Sequence, residues 1–429
     1  MKHLLPVLLL SFFIFSCKKD GDNTPPTFAI VDPAVGQQYS VFDTITISFN
    51  ATDDKMLKSY DVKLEDSNLI PIEPEVTAPL SGVSANVSFR MVIDNIRITT
   101  GTYYISYQVS DESSGTLLYR PITITAAPRT MKGILAATHP SLNTTDIYKA
   151  DTTWTSALLT SVPLDFFDLA VSSYWQQVIF DGSTNAPLQA VALDGTTSSW
   201  SQNTFASTVP YWGNISTHDS RYWVSVPGLT DLRSYDQTGR LLNTFLPDNN
   251  YQFGKQIQVG NKVFTQQIPI ATGSENLVVY SLNGGALQES PISGSVVSLF
   301  ERSDHEVYVL TNNSGQGELL IYDYNVNGFW SPINLAGGAT ILSAAEIDTD
   351  HLLIAMSDGN IYKFSYSPVG LLVQTSGVHP SQMEFDANSS RLVSSEATAI
   401  KVWNYPAFTV QHTINYPDTV RKFDVWYNH

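Results

Sequence analysis

The chain has almost no cysteine, few basic residues and no helical periodicity, and each shortage closes off a class of protein. Cys17 is the only cysteine in 429 residues. No disulfide can form within the chain, so stability must come from burial of apolar surface, which a chain of this length can supply. Lysine and arginine number 23 against 40 aspartates and glutamates, a formal net charge of −17. Phosphate backbones reward clustered lysine and arginine, so nucleic acid is excluded as a partner. The same shortage excludes a broad electrostatic grip on anionic lipid. Charged residues of all kinds make up only 15%, which leaves Ser, Thr, Asn and Gln to form the polar surface, a composition that suits exported β-rich proteins. Catalytic signatures are missing too. There is no G-x-S-x-G elbow, no glycine-rich loop before a helix and no histidine pair at i, i+4.

What the chain does have begins at its first residues. Met1-Lys2-His3 is a short basic start, and Leu4–Phe15 is apolar apart from Pro6 and Ser11. That run is shorter than the ~20 residues a bilayer-crossing helix needs and fits the apolar region of a secretory signal. Ile14-Phe15-Ser16-Cys17 then resembles the lipobox of bacterial lipoprotein precursors, with bulky Phe15 as the departure. The resemblance implies cleavage after residue 16 and a diacylglycerol on the Cys17 sulfur. Acyl chains gain about 0.8 kcal/mol per buried methylene, so such a lipid is a membrane anchor. Lys18-Lys19-Asp20-Gly21-Asp22 resembles the charged export signal of Bacteroidetes surface lipoproteins. Residues 17–26 are therefore expected to be a lipidated tether, and the protein an outer-membrane lipoprotein exposed at the cell surface.

After the tether, residues 27–128 alternate apolar and polar in short runs: TITISFNATDD (44–54), SYDVKLED (59–66), ANVSFRMVI (85–93), GTYYISYQVSDESSG (101–115) and LLYRPITITA (117–126). Period-two runs separated by turn residues predict a β-sandwich. Asp53-Asp54-Lys55-Met56-Leu57 and the Gly101–Gly115 run resemble bacterial immunoglobulin-like or cadherin-like modules. Asp53, Asp54, Asp111 and Glu112 offer hard oxygen ligands that would suit calcium if the loops bring them together. As turn residues they would instead bind their own backbone.

From residue 131 to 429 the texture becomes a repeat. DIYKADTTW (146–154), LQAVALDGTTSSW (188–200), LRSYDQTGRLLNTF (232–245), LVVYSLNGGALQES (277–290), LLIYDYNVNGFWSP (319–332), IYKFSYSPVGLLVQ (361–374) and IKVWNYPAFTVQHT (400–413) are each strand, turn, strand. The spacing of ~40–45 residues is that of propeller blades. The first unit lacks an inner strand and the chain ends on one, RKFDVWYNH (421–429). The expectation is a seven-bladed β-propeller closed by its C-terminal strand, which would hide exposed sheet edges. Tyr235-Asp236-Gln237-Thr238-Gly239-Arg240-Leu241 matches a turn common in the WD-repeat and quinoprotein-like propellers that the repeats resemble. That resemblance concerns the fold.

Loops that enter the inner strands carry Phe167, Tyr211, Trp212, Tyr251, Phe253, His379 and Tyr416. Aromatic rings bordered by Asn and Asp can stack on sugars or grip a peptide, so these residues are the candidate ligand-binding set. Acidic residues Asp168, Glu301, Glu346, Asp348, Asp386 and Asp424 lie near inner strands and are candidates for a glycosidase pair. The whole chain is thus expected to be all-β, with a spacer sandwich and a propeller that binds a glycan or protein partner without catalysis. The alternatives are a propeller lyase or glycosidase that uses face carboxylates, and a structural subunit of an envelope assembly. No catalytic residue and no cofactor beyond calcium is expected.

Overall fold

The structure is a computed structural model. It describes residues 24–429 except 73–74, 142, 185–186, 196–197, 205–209, 219 and 249. The signal segment and Cys17 lie outside the described residues. Among the described residues every regular element is a β-strand. The chain divides into one unit that ends at Pro128 and a second that spans Arg129–His429.

In the first unit, Thr44–Thr52 alternates as its sequence predicts, with Ile45, Ile47, Phe49 and Ala51 buried. It is the central strand of a three-stranded antiparallel sheet, between Thr27–Asp32 and Ser84–Val92. A second sheet has five strands in the order Gln37–Ser40, Gly115–Thr125, Gly101–Ser110, Ser59–Glu65, Val76–Pro79. Both sheets contribute to one core. Phe49 of the first meets Tyr107 of the second edge-to-face at 5.7 Å, a geometry aromatic quadrupoles favour. The strand expected over 101–115 ends at Ser110, because Asp111 turns the chain.

Among the described residues the second unit contains seven sheets. Five are four consecutive antiparallel strands each. In another, the outer strand is split into Gly328–Phe329 and Ile333–Asn334, both paired with Gln316–Asp323. Pro332 lies in the gap and has no N–H for the ladder. The remaining sheet is composite: Ser156–Val162, Thr144–Asp151 and Met131–Ser141 are joined by the C-terminal strand Val420–Tyr427. The inner strands are Val420–Tyr427, Phe166–Ser172, Ile215–His218, Tyr251–Val259, Ser295–Glu301, Ile341–Asp348 and Gln382–Asp386. Each touches the next and the last touches the first, which closes a ring. We call the sheets first to seventh in that order. A closed ring of antiparallel four-stranded sheets is a β-propeller.

Stacking of one sheet on the next explains the sequence texture. Second strands such as Arg221–Val226 and His351–Met356 are buried on both faces and so read as near-continuous apolar runs. Outer strands such as Gly370–Ser376 are open to solvent. The cores lie between sheets. Trp212 and Tyr222 of the third pack on Ile179 and Ala190 of the second. Phe423 of the first packs on Val402 of the seventh.

Polar clamps join neighbouring sheets where no ladder can. Ile215 N–H donates to Asp168 Oδ2 at 2.9 Å, and Val425 N–H donates to Glu384 Oε2 at 2.8 Å. Asn312 takes Ile341 N–H at 2.7 Å and gives its amide to Ile341 O at 3.0 Å. Gln382 holds Phe423 in the same two-way manner.

Candidate functional site

Inside the ring lies a cavity of about 230 Å³ to which all seven inner-strand regions contribute. Its charged groups are Asp168, Lys255 and Lys422, and Ser216, Gln256, Ser298 and Gln382 add hydroxyls and amides. Lys422 Nζ pairs with Asp168 Oδ1 at 3.1 Å. Burial alone would lower the Lys422 pKa, but Asp168, then Asp424 and Glu384, raise it above the ordinary value. The Lys255 pKa is lowered, first by burial and then by Lys422, with Asp168 opposing.

Beside the cavity sits a half-buried acidic pair. Asp424 is pushed up to about 6, chiefly by burial. Glu384 is raised well above the ordinary range by burial and then by Asp424. The two side chains are hydrogen-bonded to each other, so one proton is held between them. Asp181, fully buried, is likewise pushed well up by burial and then by Asp168. Its Oδ1 takes the N–H of Asp168 at 2.9 Å. These groups hold backbone. Asp168 and Asp424 each accept an inter-sheet amide. Asp386 is buried and caps its own turn through Asn388 N–H at 3.2 Å and the Ser389 hydroxyl. Glu346 is pushed up to about 7 by burial, then by Glu301 and Asp348. Asp348 also meets His351 Nδ1 at 2.8 Å.

The aromatic set requires correction. Tyr211, Trp212, Phe253 and Tyr416 are buried and form core, not a ligand platform. Tyr211 and Trp212 pack edge-to-face at 5.0 Å. Phe253 packs on Tyr280 and Tyr416 on Tyr148. Entry loops fold over the neighbouring sheet, and an apolar ring there gains more from burial than from exposure. Phe167 is 40% exposed, His379 is exposed and Tyr251 is half-buried. They stand on or beside the inner strands of the second, seventh and fourth sheets respectively, so they belong to different blades.

Asp53 Oδ2 takes the N–H groups of Lys55 and Met56 at 3.0 and 2.8 Å. Asp111 takes the hydroxyl of Ser114 at 2.6 Å and the N–H groups of Ser113 and Ser114, which hold its carboxyl down at about 2. Both residues act as turn caps. Among the described residues the acidic and histidine groups that converge are His305, Glu306 and Asp323, within 4.8 Å. Asp53, Asp54, Asp111 and Glu112 are not part of that set.

A second pocket, of about 390 Å³, is lined by Lys149, Trp175, Gln176, Leu193, Asp194 and Trp426 among others. It lies at hairpin turns of the first and second sheets, away from the entry loops. Trp426 donates its indole N–H to Gln176 Oε1 at 2.8 Å, and Lys149 Nζ lies 4.1 Å from the Trp426 ring centroid. Trp175 packs on Tyr222 at 4.7 Å. Neither tryptophan was among the sequence candidates. They sit about 250 residues apart in the chain, and only closure of the ring by the C-terminal strand brings them together.

No family model and no curated protein sequence matches the chain. Solved structures do. A quinoprotein alcohol dehydrogenase-like protein of Bacteroides thetaiotaomicron is 12% identical, with a TM-score of 0.48 over 94% of this chain and 99% of that one. A putative 6-phosphogluconolactonase of Bacteroides fragilis is 13% identical, with a TM-score of 0.49 over 69% and 98%. The C-terminal WD40 domain of Sif2 is 12% identical, with a TM-score of 0.44 over 68% and 86%.

Proposed function

We propose that this chain is a lipid-anchored envelope protein that displays a seven-bladed propeller for non-catalytic recognition of a glycan. In this reading Cys17 carries the lipid, residues 17–26 are the tether, the immunoglobulin-like sandwich is a spacer, and the ring of seven sheets is the recognition head at the cell surface. The observation that carries the reading is the pocket between Trp175 and Trp426. Indole faces stack on the C–H face of a pyranose. Asp194 places a carboxylate beside them, and Gln176 fixes the Trp426 indole through its amide oxygen, the mixture of apolar walls and a few polar groups that ligand sites use. Against an enzyme stands the use already made of Asp168 and Asp424, which hold backbone amides of the next sheet.

The test is a glycan array probed with the labelled full chain in mild detergent, beside Trp175→Ala and Asp194→Ala. Binding that both variants lose, with their thermal unfolding retained, supports the reading. Silence across the array, or binding that both variants keep, removes this pocket as a sugar site. Crosslinking on intact cells would then identify a protein partner.

A further inference from the structure

The cavity on the ring axis is separate from the indole pocket, and its charge arrangement is unbalanced. Two lysines face it in a chain whose formal net charge is −17. Lys422 is committed to Asp168. Lys255 is not committed to any acid: among the described residues no ion pair or hydrogen bond reaches its ammonium. The charged groups that act on it are Lys422 and Asp168, and those two are paired with each other at 3.1 Å. Their effects offset, so a half-buried ammonium on the cavity wall is left without a counter-charge.

The side chain has no packing reason to be lysine. Its backbone is already fixed, with its N–H on Gln266 Oε1 at 3.0 Å and its carbonyl receiving the Thr265 hydroxyl at 3.2 Å. The same cavity is lined by hydroxyls on other inner strands, Ser216 and Ser298. They can donate to an oxyanion. At about 30 Å³ per water, the cavity is too small for an extended chain and suits a compact group.

We propose that the axial cavity is an anion-binding site in which Lys255 receives a single carboxylate or phosphate group. Lys422 adds positive potential from the opposite side of its pair with Asp168. Ser298 and Ser216 supply hydroxyl donors. The ligand enters along the axis, and no covalent step is involved.

The probes are inorganic phosphate, acetate and galacturonate, with glucose as the neutral control, titrated calorimetrically into the full chain in mild detergent. At least one anion is expected to bind and glucose is not. Lys255→Met should weaken that anion at least tenfold, and Lys255→Arg should retain most of the affinity. Phosphate above acetate assigns a phosphoryl ligand, and galacturonate above acetate assigns an acidic sugar. Because a substitution on an inner strand can disturb folding, wild-type protein gives a second measurement. Acylation of Lys255 by an amine-reactive ester, read by peptide mass, should slow when the anion is present. The proposal fails if no anion binds at about 10 mM, where a site of about 1 mM affinity would be mostly filled. It also fails if a bound anion leaves Lys255 acylation unchanged, or if Lys255→Met binds as wild type.

Discussion

Asp424 Oδ2 accepts the backbone N–H of Val171 at 2.6 Å across 253 residues of chain. The bond ties the C-terminal strand of the first sheet to the inner strand of the second. Further along, Tyr427 N–H donates to Ser173 Oγ at 2.9 Å, and Gln176 gives its amide to Tyr427 O at 2.9 Å. On the other flank Gln382 and Glu384 of the seventh sheet hold Phe423 and Val425. The closing strand is therefore fixed by side chains on both neighbours as well as by its ladder to Met131–Ser141. The same arrangement builds the indole pocket, since Trp426 is on this strand. Fold closure and the candidate recognition site depend on one element.

The clamps predict where the ring is weakest to substitution. Asn312 satisfies both the N–H and the C=O of Ile341. Asn312→Ala strands two backbone groups in a partly buried seam, each worth about 1–3 kcal/mol when left unpaired. A loss of about 2–4 kcal/mol in chemical denaturation is expected. Asn312→Asp keeps the acceptor and loses the donor, so it should fall between wild type and Asn312→Ala. An order with Asn312→Ala closest to wild type would contradict the clamp.

The Glu384–Asp424 pair predicts a pH dependence of definite sign. Both folded pKa values lie above the unfolded ones, with Asp424 at about 6 against 3.8. The folded state thus holds a proton that the unfolded state releases. This contribution is fully present below the unfolded values and is lost as pH rises through the folded ones. The slope is about 1.4 kcal/mol per pH unit for each extra proton. Lys422, which faces both acids, moderates the loss. In Glu384→Gln the amide can take the place of the shared proton and still accept from Val425. The variant should gain on wild type between pH about 4 and about 7. Parallel stability curves for the two proteins across that range would show that the pair does not share a proton.

The sequence made the ring legible for a physical reason. Stacked sheets bury their second strands on both faces, so RYWVSV and HLLIAM stand out as apolar runs at a fixed spacing. The C-terminal inner strand was legible because one unit lacked that element. The site was not. Tyr211 and Trp212 look like a surface loop after Pro210, yet they fold against Ile215 and Tyr222. Local sequence reports what a side chain is, and burial depends on a neighbouring sheet that local sequence does not show. Glu384 and Lys255 gave no signal for the same cause: their roles come from partners on other inner strands.

Trp212 therefore becomes a stability probe. It is 1% exposed, and its indole N–H has no acceptor among the described residues. Trp212→Ala should cost about 3–5 kcal/mol, as large core truncations do. Trp212→Phe removes the unsatisfied donor along with part of the volume, and its loss should be under about 2 kcal/mol. Both follow from denaturant midpoints. If Trp212→Ala kept wild-type stability, the loop would have to be open, and Trp212 would return as a ligand-facing residue.

The turn at Asp236 to Arg240 gives the last test. Asp236 Oδ1 takes Thr238 N–H at 2.8 Å and Arg240 N–H at 3.1 Å, and Gly239 closes the turn at φ +77°. The turn leans on the preceding sheet, where a Cβ at 239 would lie 2.7 Å from the Trp200 ring. Two penalties are therefore expected for Gly239→Ala, about 1–2 kcal/mol for the left-handed backbone and about 1–3 kcal/mol for displacement of the indole. Gly260 separates them, because its φ is +55° and nothing lies within 4 Å of an added Cβ. Gly260→Ala should show only the backbone penalty. Gly239→Asn relieves the backbone, since asparagine tolerates this region, but it keeps the clash with Trp200. It should remain destabilised, whereas Gly260→Asn should be close to wild type. Equal losses at the two positions would mean that Trp200 yields freely and that the turn is not seated on the second sheet.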